Sequence, residues 1–517
     1  MIGFLGVLSE LANQDILDTV TYICGTSGST WCMTSLYNHD NWSASMGEME
    51  RNICEKLSKH EWDCTKSWEK FEQIMRQDTA SLTAFWAYVV IQMMTKDINE
   101  MKLSDHRTSC ETGTNPYPIY AAVEKENVDN GIPHKPGTWF EFTPHKAGFP
   151  AYRHFVDTKL LGSQFEEGKP VKITPERELC FLQGICGSAL ASTEEMWDII
   201  KGHFNNTLSE AKCTTSNEDK DIGSLKCKKC KDLHCLISED HQSTDFHHKE
   251  ELLLALTPFL DDTKLKENKK EIEDSMETYK NISNWFSWGL DCCKMVSQLF
   301  ISLVKWEWGK YFHSDDNHSD SELCEMWTMT HSFLVSLARW EWGKTHNFFY
   351  NPNDSGSANN DMLNKEYIYL IDAGLEINTA YPLMLRPNRK VDLILSFDFS
   401  SGDPFETLTK AREYCTINDI LFPKIGIQDE GNKENIPSQN CYIFEDNDKD
   451  VPVVMHFPLF NSRNCGDNLQ QWRDRYCTSK YSYTDLDVQD LLRVSKENVK
   501  FSMNQILEML QQLRKHG

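Results

Sequence analysis

Residues 21–30 read Thr-Tyr-Ile-Cys-Gly-Thr-Ser-Gly-Ser-Thr, and the interpretation of the whole chain depends on this stretch. Its first half is apolar and partly β-branched, which predicts a buried strand. The residues around Ser27 are small, so the backbone can turn there from a strand into a helix; they are Gly25, Gly28 and Ser29. A turn of this kind exposes a serine as a nucleophile and leaves the next backbone N–H to bind an oxyanion. The usual pattern has glycine in place of Ser29, and an ordinary glycine-rich turn also fits these residues.

The sequence on both sides of the turn has the order that a nucleophile turn requires. Apolar residues at 3–11 have helical spacing, 18–24 reads as a strand, and 29–37 reads as the helix that follows it. A strand that leads through a tight turn into a helix is the context in which such a serine occurs.

Two later apolar runs, 367–371 and 391–397, read as strands that end in Asp372 and Asp398. Continuous apolar strands interleaved with helices predict an α/β fold with a largely parallel central sheet. In such a sheet, ligands bind beyond the carboxyl ends of the strands. We therefore expect Asp372 and Asp398 to lie at the same edge of the sheet as Ser27.

The composition predicts a soluble globular protein, with 517 residues of which 40% are hydrophobic and 25% charged. The net charge of −25 argues against a nucleic-acid-binding protein and against a strong electrostatic hold on anionic membranes. The hydrophobic runs are too short to span a membrane, and the first residues lack the pattern of a signal peptide. The 18 cysteines are mostly scattered singly, which favours reduced thiols and a cytoplasmic location.

Residues 201–345 differ from the rest, because they are rich in charge and poor in strand-like runs. This pattern predicts a mostly helical insertion. Within it, Cys227 and Cys230 followed by His234 and Cys235 have the spacing of half a zinc site. The second Cys-x-x-Cys pair is missing, so an exposed lysine-flanked loop is the preferred interpretation.

Longer motifs run through most of the chain. They are TVTYICGTSGSTW at 19–31, TWFEFTPH at 138–145, FLQGICGSA at 181–189, WEWGKTHNF at 340–348, LIDAG at 370–374 and LILSFDFSSGDPF at 393–405. In these motifs the chain closely resembles the vertebrate cytosolic (group IV) phospholipase A2 family, and its gamma type most of all. The resemblance implies one catalytic domain over 1–517, with a patatin-like α/β hydrolase core and the insertion at 201–345 as its cap.

The resemblance also implies an activity, that of a phospholipase A2 and lysophospholipase which hydrolyses fatty-acyl esters of glycerophospholipids without calcium. Family members use a serine–aspartate dyad and an acyl-enzyme; by motif position Ser27 is the nucleophile and Asp372 is its base. Arg389 falls at the place of the family's phosphate-binding arginine. The N–H of Gly28, next to the nucleophile, is the oxyanion donor.

The implied partners follow from this activity. The substrate is a phospholipid at a membrane surface, no cofactor or metal is needed, and the location is cytoplasmic and peripheral on intracellular membranes. Because the family uses a dyad, His145 and His456 are expected to be core or surface histidines rather than members of a triad.

The start of the chain departs from the family pattern, in which a strand and a glycine-rich turn, Ser-Gly-Gly-Gly-x-Arg, precede the helix that here begins near Gly3. The sequence therefore predicts an N-terminal truncation, with loss of the loop that completes the oxyanion hole and with exposed edges on the neighbouring strands. This leaves an alternative, a catalytically inactive lipid-binding or interaction protein. A C2-like calcium module and a Cys-a-a-X prenylation signal are also missing, so membrane contact is expected to depend on the cap and apolar surface.

Overall fold

The computed structural model describes residues 1–59, 63–77, 79–129, 135, 137–191, 336, 341–351, 361–400, 402–426, 439–466, 468–477 and 483–516. The chain divides into two units, Met1–Ser192 with Glu341–Gly517, and Thr193–Trp340. Almost all of the predicted cap at 201–345 lies outside the described residues, as does the candidate zinc segment from Cys227 to Cys235.

The helices confirm the periodicity of the sequence around the opening turn, since one helix covers 3–11 and another covers 29–36 and ends one residue before the predicted boundary. A π-helical segment, Trp86–Ile91, joins α5 to α6. The described α-helices are α1 Ile2–Asn13, α2 Gly28–Leu36, α3 Met46–Lys59, α4 Cys64–Met75, α5 Leu82–Phe85, α6 Gln92–Thr95, α7 Arg107–Glu111, α8 Lys125–Asp129, α9 Leu179–Cys186, α10 Tyr381–Met384, α11 Glu406–Ile417, α12 Ser462–Cys465, α13 Leu469–Arg475 and α14 Asp485–His516.

The described strands form three sheets. The largest has seven strands in the order β5-β4-β3-β2-β9-β8, with β1 also paired to β2, while β10-β12-β11 and β6-β7 form smaller sheets. The strands are β1 Tyr22–Gly25, β2 Tyr117–Glu124, β3 Trp139–Phe142, β4 Lys146–Phe149, β5 His154–Asp157, β6 Gln164–Glu166, β7 Lys169–Lys172, β8 Lys344–His346, β9 Tyr367–Asp372, β10 Leu393–Asp398, β11 Tyr442–Phe444 and β12 Val453–Pro458.

The α/β character is confirmed, but the prediction of a largely parallel sheet is wrong. Among the described strands of the large sheet, β1–β2 is parallel, and every other pair is antiparallel. In the second sheet β10–β12 is parallel and β11–β12 antiparallel. Residues 143–145 alone connect β3 to β4, and so short a connection permits only an antiparallel pair. Continuous apolar runs indicate burial on both faces of a strand, and they do not determine its direction.

The centre of the large sheet is fully buried, which explains why its strands are so apolar. Residues Ile119, Tyr120, Ala121, Ala122 and Val123 of β2 are all 0% exposed. On the first helix, Leu5 and Val7 are also buried, and α1 packs against the long α14. The strand ends that carry the candidate residues are therefore fixed by a rigid core.

Candidate active site

Ser27 lies in a strained turn between β1 and α2. Its backbone has φ of 49° and ψ of −131°, a conformation that a residue with a side chain rarely adopts. Gly25 is needed beside it, because a Cβ there would lie 2.4 Å from the Met33 Sδ. The turn thus has the geometry of a nucleophile elbow, with the Gly28 N–H at the start of α2, where helix N–H groups have no intrahelical acceptor.

The register of β2 explains why the chain turns at this point. Gly25 of β1 is paired with Tyr120, and Asp372 of β9 is paired with Ala122. Because β3 occupies one edge of β2, β1 and β9 share the other edge. β1 is parallel to β2 and β9 is antiparallel to it, so the carboxyl ends of β1 and β9 point toward each other. Two residues along β2 correspond to about 7 Å. The end of β9 therefore lies ahead of β1 on this edge, and the chain leaves the sheet there through the Ser27 turn.

Asp372 is held in a fixed position. Its residue is 1% exposed, and one carboxylate oxygen accepts a hydrogen bond of 2.8 Å from the Gly374 N–H. Its own backbone N–H donates to the Ser188 Oγ at 3.1 Å. Burial raises the pKa of the Cys186 thiol, and the negative charge of Asp372 raises it further. This cysteine therefore lies close to the Asp372 carboxylate.

The segment that supports Asp372 also supports the helix after Ser27. The indole N–H of Trp31 on α2 donates to the Gln183 carbonyl at 3.1 Å. Gly187 is packed so closely on Trp31 that a Cβ would lie 2.5 Å from the Trp31 Nε1. The motif at 181–189 therefore contacts both the helix that follows Ser27 and the candidate base Asp372. The sequence identifies 181–189 as a motif of the family that the chain resembles. Its supporting role could not be predicted, because it depends on contacts between residues far apart in the sequence.

Ser27 and Arg389 both line one cleft with a volume of about 740 Å³. This is within the usual size for small-molecule sites. Apolar side chains cover much of its wall. They come from α1, β10 and α14, namely Phe4, Val7, Leu8, Leu11, Leu393, Ile394, Leu395, Leu510 and Leu513.

Two strands border this cleft with consecutive residues, 19–24 from the segment of β1 and 389–397 from that of β10. Within the described part of the chain, β1 is paired with β2 and β10 with β12, so each has one edge facing the cleft. Backbone groups as well as apolar side chains are therefore presented to a ligand there.

Arg389 is fixed by a buried ion pair that the sequence analysis missed. One guanidinium nitrogen lies 2.9 Å from the Glu141 Oε2, another donates to the Leu383 carbonyl, and Arg386 binds the second Glu141 oxygen. The Arg389 side chain is 8% exposed and the Glu141 side chain 5%. Glu141 stands in the apolar strand Trp-Phe-Glu-Phe, and a lone charge among buried neighbours is the signal that could have identified it.

Asp398 ends β10 in the three-stranded sheet, whereas Asp372 ends β9 in the large sheet. Asp398 is 2% exposed, and burial raises its pKa to about 6. Hydrogen bonds from Ser400 lower this pKa, but the effect of burial is larger. Phe397, Phe399 and Ser400 line the cleft around Asp398. The expectation that Asp398 shares the sheet edge of Ser27 is therefore wrong, because β10 belongs to a different sheet.

The two histidines have other partners. His145 Nδ1 lies 2.9 Å from the Tyr117 hydroxyl, and His456 Nε2 lies 2.7 Å from the Pro404 carbonyl oxygen. Burial lowers the pKa of His456 to about 4, so its imidazole is neutral at pH 7.

No group of three or more His, Cys, Asp or Glu side chains in the described part of the chain could hold a metal ion. Nor is any helix described here long and apolar enough to cross a membrane.

Comparison with known proteins identifies the family. Residues 1–270 match the family described as the lysophospholipase catalytic domain. Mouse cytosolic phospholipase A2 gamma is 35% identical to this chain, and the match covers 99% of this chain and 84% of the mouse protein. Human cytosolic phospholipase A2 gamma is 37% identical, and the match covers 98% of this chain and 86% of the human protein. The fold is similar to the structure of human GIVD cytosolic phospholipase A2, with a TM-score of 0.63 and 22% sequence identity. The match covers 100% of this chain and 59% of that protein's chain. The chain therefore belongs to the cytosolic phospholipase A2 family and carries a lysophospholipase catalytic domain.

Proposed function

We propose that this protein hydrolyses fatty-acyl esters of glycerophospholipids and lysophospholipids through a dyad of Ser27 and Asp372. The observation that carries the proposal is the register on one edge of β2, where β1, which leads to Ser27, ends opposite Tyr120 and β9 ends with the buried Asp372 opposite Ala122. Membership of the cytosolic phospholipase A2 family supplies the reaction class.

The first step is acylation of Ser27. A serine hydroxyl is a weak nucleophile until a neighbouring base accepts its proton, and Asp372 is the base in this proposal. As the proton moves to Asp372, the Ser27 Oγ attacks the ester carbonyl. The Gly28 N–H donates a hydrogen bond to the oxyanion that develops. Collapse of the tetrahedral intermediate expels the glycerol oxygen, which takes the proton back from Asp372.

The second step regenerates the enzyme. Asp372 accepts a proton from a water molecule, and the resulting hydroxide attacks the acyl-enzyme carbonyl. The free fatty acid leaves as the proton returns to the Ser27 Oγ. Both steps use the same base and the same oxyanion donor, so one constellation performs the whole cycle.

Arg389 orients the substrate in this scheme. It lines the same cleft as Ser27, and its planar guanidinium is suited to phosphate oxygens. The hydrogen bonds to Glu141 and to the Leu383 carbonyl use two of its five N–H donors. The apolar wall of the cleft takes the acyl chain while the phosphate is held at Arg389.

We propose further that turnover is independent of calcium and takes place at a membrane surface. In this scheme Asp372, the Gly28 N–H and Arg389 compensate each charge that forms or moves. We expect activity on phospholipid vesicles to be the same in excess EGTA as in added calcium. A loss of more than tenfold in EGTA would contradict this part of the proposal.

The test of the activity uses the full chain and phosphatidylcholine vesicles, with fatty acid and lysophospholipid measured by mass spectrometry. Ser27→Ala is expected to reduce product formation by at least about 10³-fold, because it removes the nucleophile. The control is Ser35→Ala, which removes a hydroxyl that donates to the Trp31 carbonyl on the same helix. If the unmodified chain binds vesicles without releasing product, the inactive lipid-binding alternative replaces this proposal.

A further inference from the structure

Glu141 connects two arginines at the edge of the cleft. It lies on β3, between Ala121 of β2 and Gly148 of β4, so its backbone is fixed inside the large sheet. One carboxylate oxygen pairs with Arg386 and the other with Arg389. The side chains of Glu141, Arg389 and Arg386 are 5%, 8% and 16% exposed. The cluster therefore carries a net charge of +1 in a largely dehydrated place.

The orientation of Arg389 depends on this carboxylate. Its guanidinium is held by Glu141, by the Leu383 carbonyl and by the ring of Tyr22, whose centroid is 5.7 Å from the Arg389 Cζ. Tyr22 and Arg389 both line the cleft, whereas Glu141 stands behind them. The buried Glu141 carboxylate, 2.9 Å from a guanidinium nitrogen of Arg389, orients the guanidinium and offsets part of its positive charge.

We propose that Glu141 is a positioning residue that sets the net charge of the head-group subsite, and thereby makes the protein selective for phosphodiester over phosphomonoester head groups. The proposal rests on the proposed role of Arg389. A phosphodiester carries one negative charge, which the cluster of net charge +1 neutralises. A phosphomonoester carries about −1.5 to −2, so part of its charge stays uncompensated in a site from which water is largely excluded.

Two substitutions change the cluster charge in opposite directions. Glu141→Gln raises it to +2 and keeps the shape of the side chain, whereas Arg386→Gln lowers it to zero and leaves Arg389 paired with Glu141. A purely structural role, in which the ion pairs only attach residues 383–390 to the sheet, predicts parallel losses on every substrate in both variants. A role in charge selection predicts opposite changes in the ratio between substrates.

The kinetic test uses three glycerol esters with the same acyl chain in the same mixed micelles: lysophosphatidylcholine, lysophosphatidic acid and monoacylglycerol. For Glu141→Gln we expect the ratio of kcat/KM on lysophosphatidic acid to that on lysophosphatidylcholine to rise on the order of tenfold. For Arg386→Gln the same ratio is expected to fall by a similar factor. Glu166→Gln, which removes an exposed carboxylate at the end of β6, is the matched control and should leave the ratio unchanged. Ratios within twofold of the wild-type value in both variants would overturn the proposal.

A binding measurement separates this inference from the proposed function. Titration calorimetry with glycerophosphocholine and with glycerol 3-phosphate requires no turnover, and it is expected to show the same opposite changes in relative affinity. If no substrate is hydrolysed but the affinities change as stated, the proposed activity fails and the role of Glu141 stands. If neither ligand binds the wild-type protein, the subsite itself is refuted.

Discussion

Asp372 and Asp398 look alike in the sequence and locally in the structure, but they differ in what lies opposite them. Each ends an apolar strand, is at most 2% exposed, and accepts a hydrogen bond from the backbone N–H two residues later, that of Gly374 or Ser400. Asp372, however, ends β9 on the edge of β2 that β1 also occupies, whereas Asp398 ends β10 in a separate sheet.

The difference teaches that strand register, rather than the strand–aspartate motif, selects the candidate base. A buried carboxylate at a strand end is stabilised locally by the turn that follows it. It becomes a general base only if a second chain segment brings a hydroxyl to it. In this protein β1, the strand that leads to Ser27, ends opposite Tyr120, two residues along β2 from the partner of Asp372, and the proposed dyad rests on this register.

The largest expected effect tests this contrast directly. Asp372→Asn should lower kcat on phospholipid by about 10³–10⁴-fold, because the amide cannot accept the Ser27 proton. Asp398→Asn should lower it by less than about tenfold, since this residue supports a wall of the cleft. The measurement is steady-state hydrolysis of phosphatidylcholine by both variants. Equal losses in the two would show that register does not distinguish the two aspartates.

A smaller effect is expected from the support of Asp372. Ser188→Ala removes the hydroxyl that accepts the Asp372 N–H, and loss of this buried hydrogen bond is expected to cost about 1–3 kcal/mol. We expect kcat to fall about tenfold because the carboxylate moves relative to Ser27. Ser163→Ala is matched to it, since the buried Ser163 Oγ accepts the Thr174 N–H at the same distance of 3.1 Å. Both variants should lose similar thermal stability, and a similar loss of kcat in both would contradict a specific role for Ser188.

The smallest effect concerns stability, and it belongs to Asp398. Its pKa is about 6 in the folded protein and about 4 when unfolded, so the folded state binds more protons between these values. Its stabilising contribution is therefore present below about pH 4 and is lost as the pH rises to about 6, up to about 3 kcal/mol in all. Asp398→Asn removes this dependence. Its Tm relative to wild type should rise by a few degrees between pH 4.5 and pH 7.5, measured by scanning calorimetry; a constant difference would contradict the raised pKa.

Much of the local structure could be predicted from the sequence. The apolar run before Gly25 and the small residues around Ser27 indicate the strand, turn and helix, because these preferences act between near neighbours. The later strands were also identified, but their directions were not. A buried strand has the same composition in parallel and antiparallel sheets, and only the short connection from β3 to β4 argues against a crossover.

The supporting residues of the site were harder to find. Ser188 and Glu141 act over long separations in sequence, on Asp372 and on Arg389 respectively. The periodicity of the chain contains no information about such pairs. Glu141 did leave a local signal, a charge within an apolar strand, and a buried charge in such a place requires a partner.

The central claim is that the Ser27 hydroxyl is activated by Asp372. The most direct measurement is the rate of labelling by a fluorophosphonate probe, with the modified residue located by peptide mass spectrometry. The account predicts a label on Ser27 that forms at least about 100-fold more slowly in Asp372→Asn and at nearly the wild-type rate in Asp398→Asn. A label on another residue, or equal rates in Asp372→Asn and wild type, would contradict it.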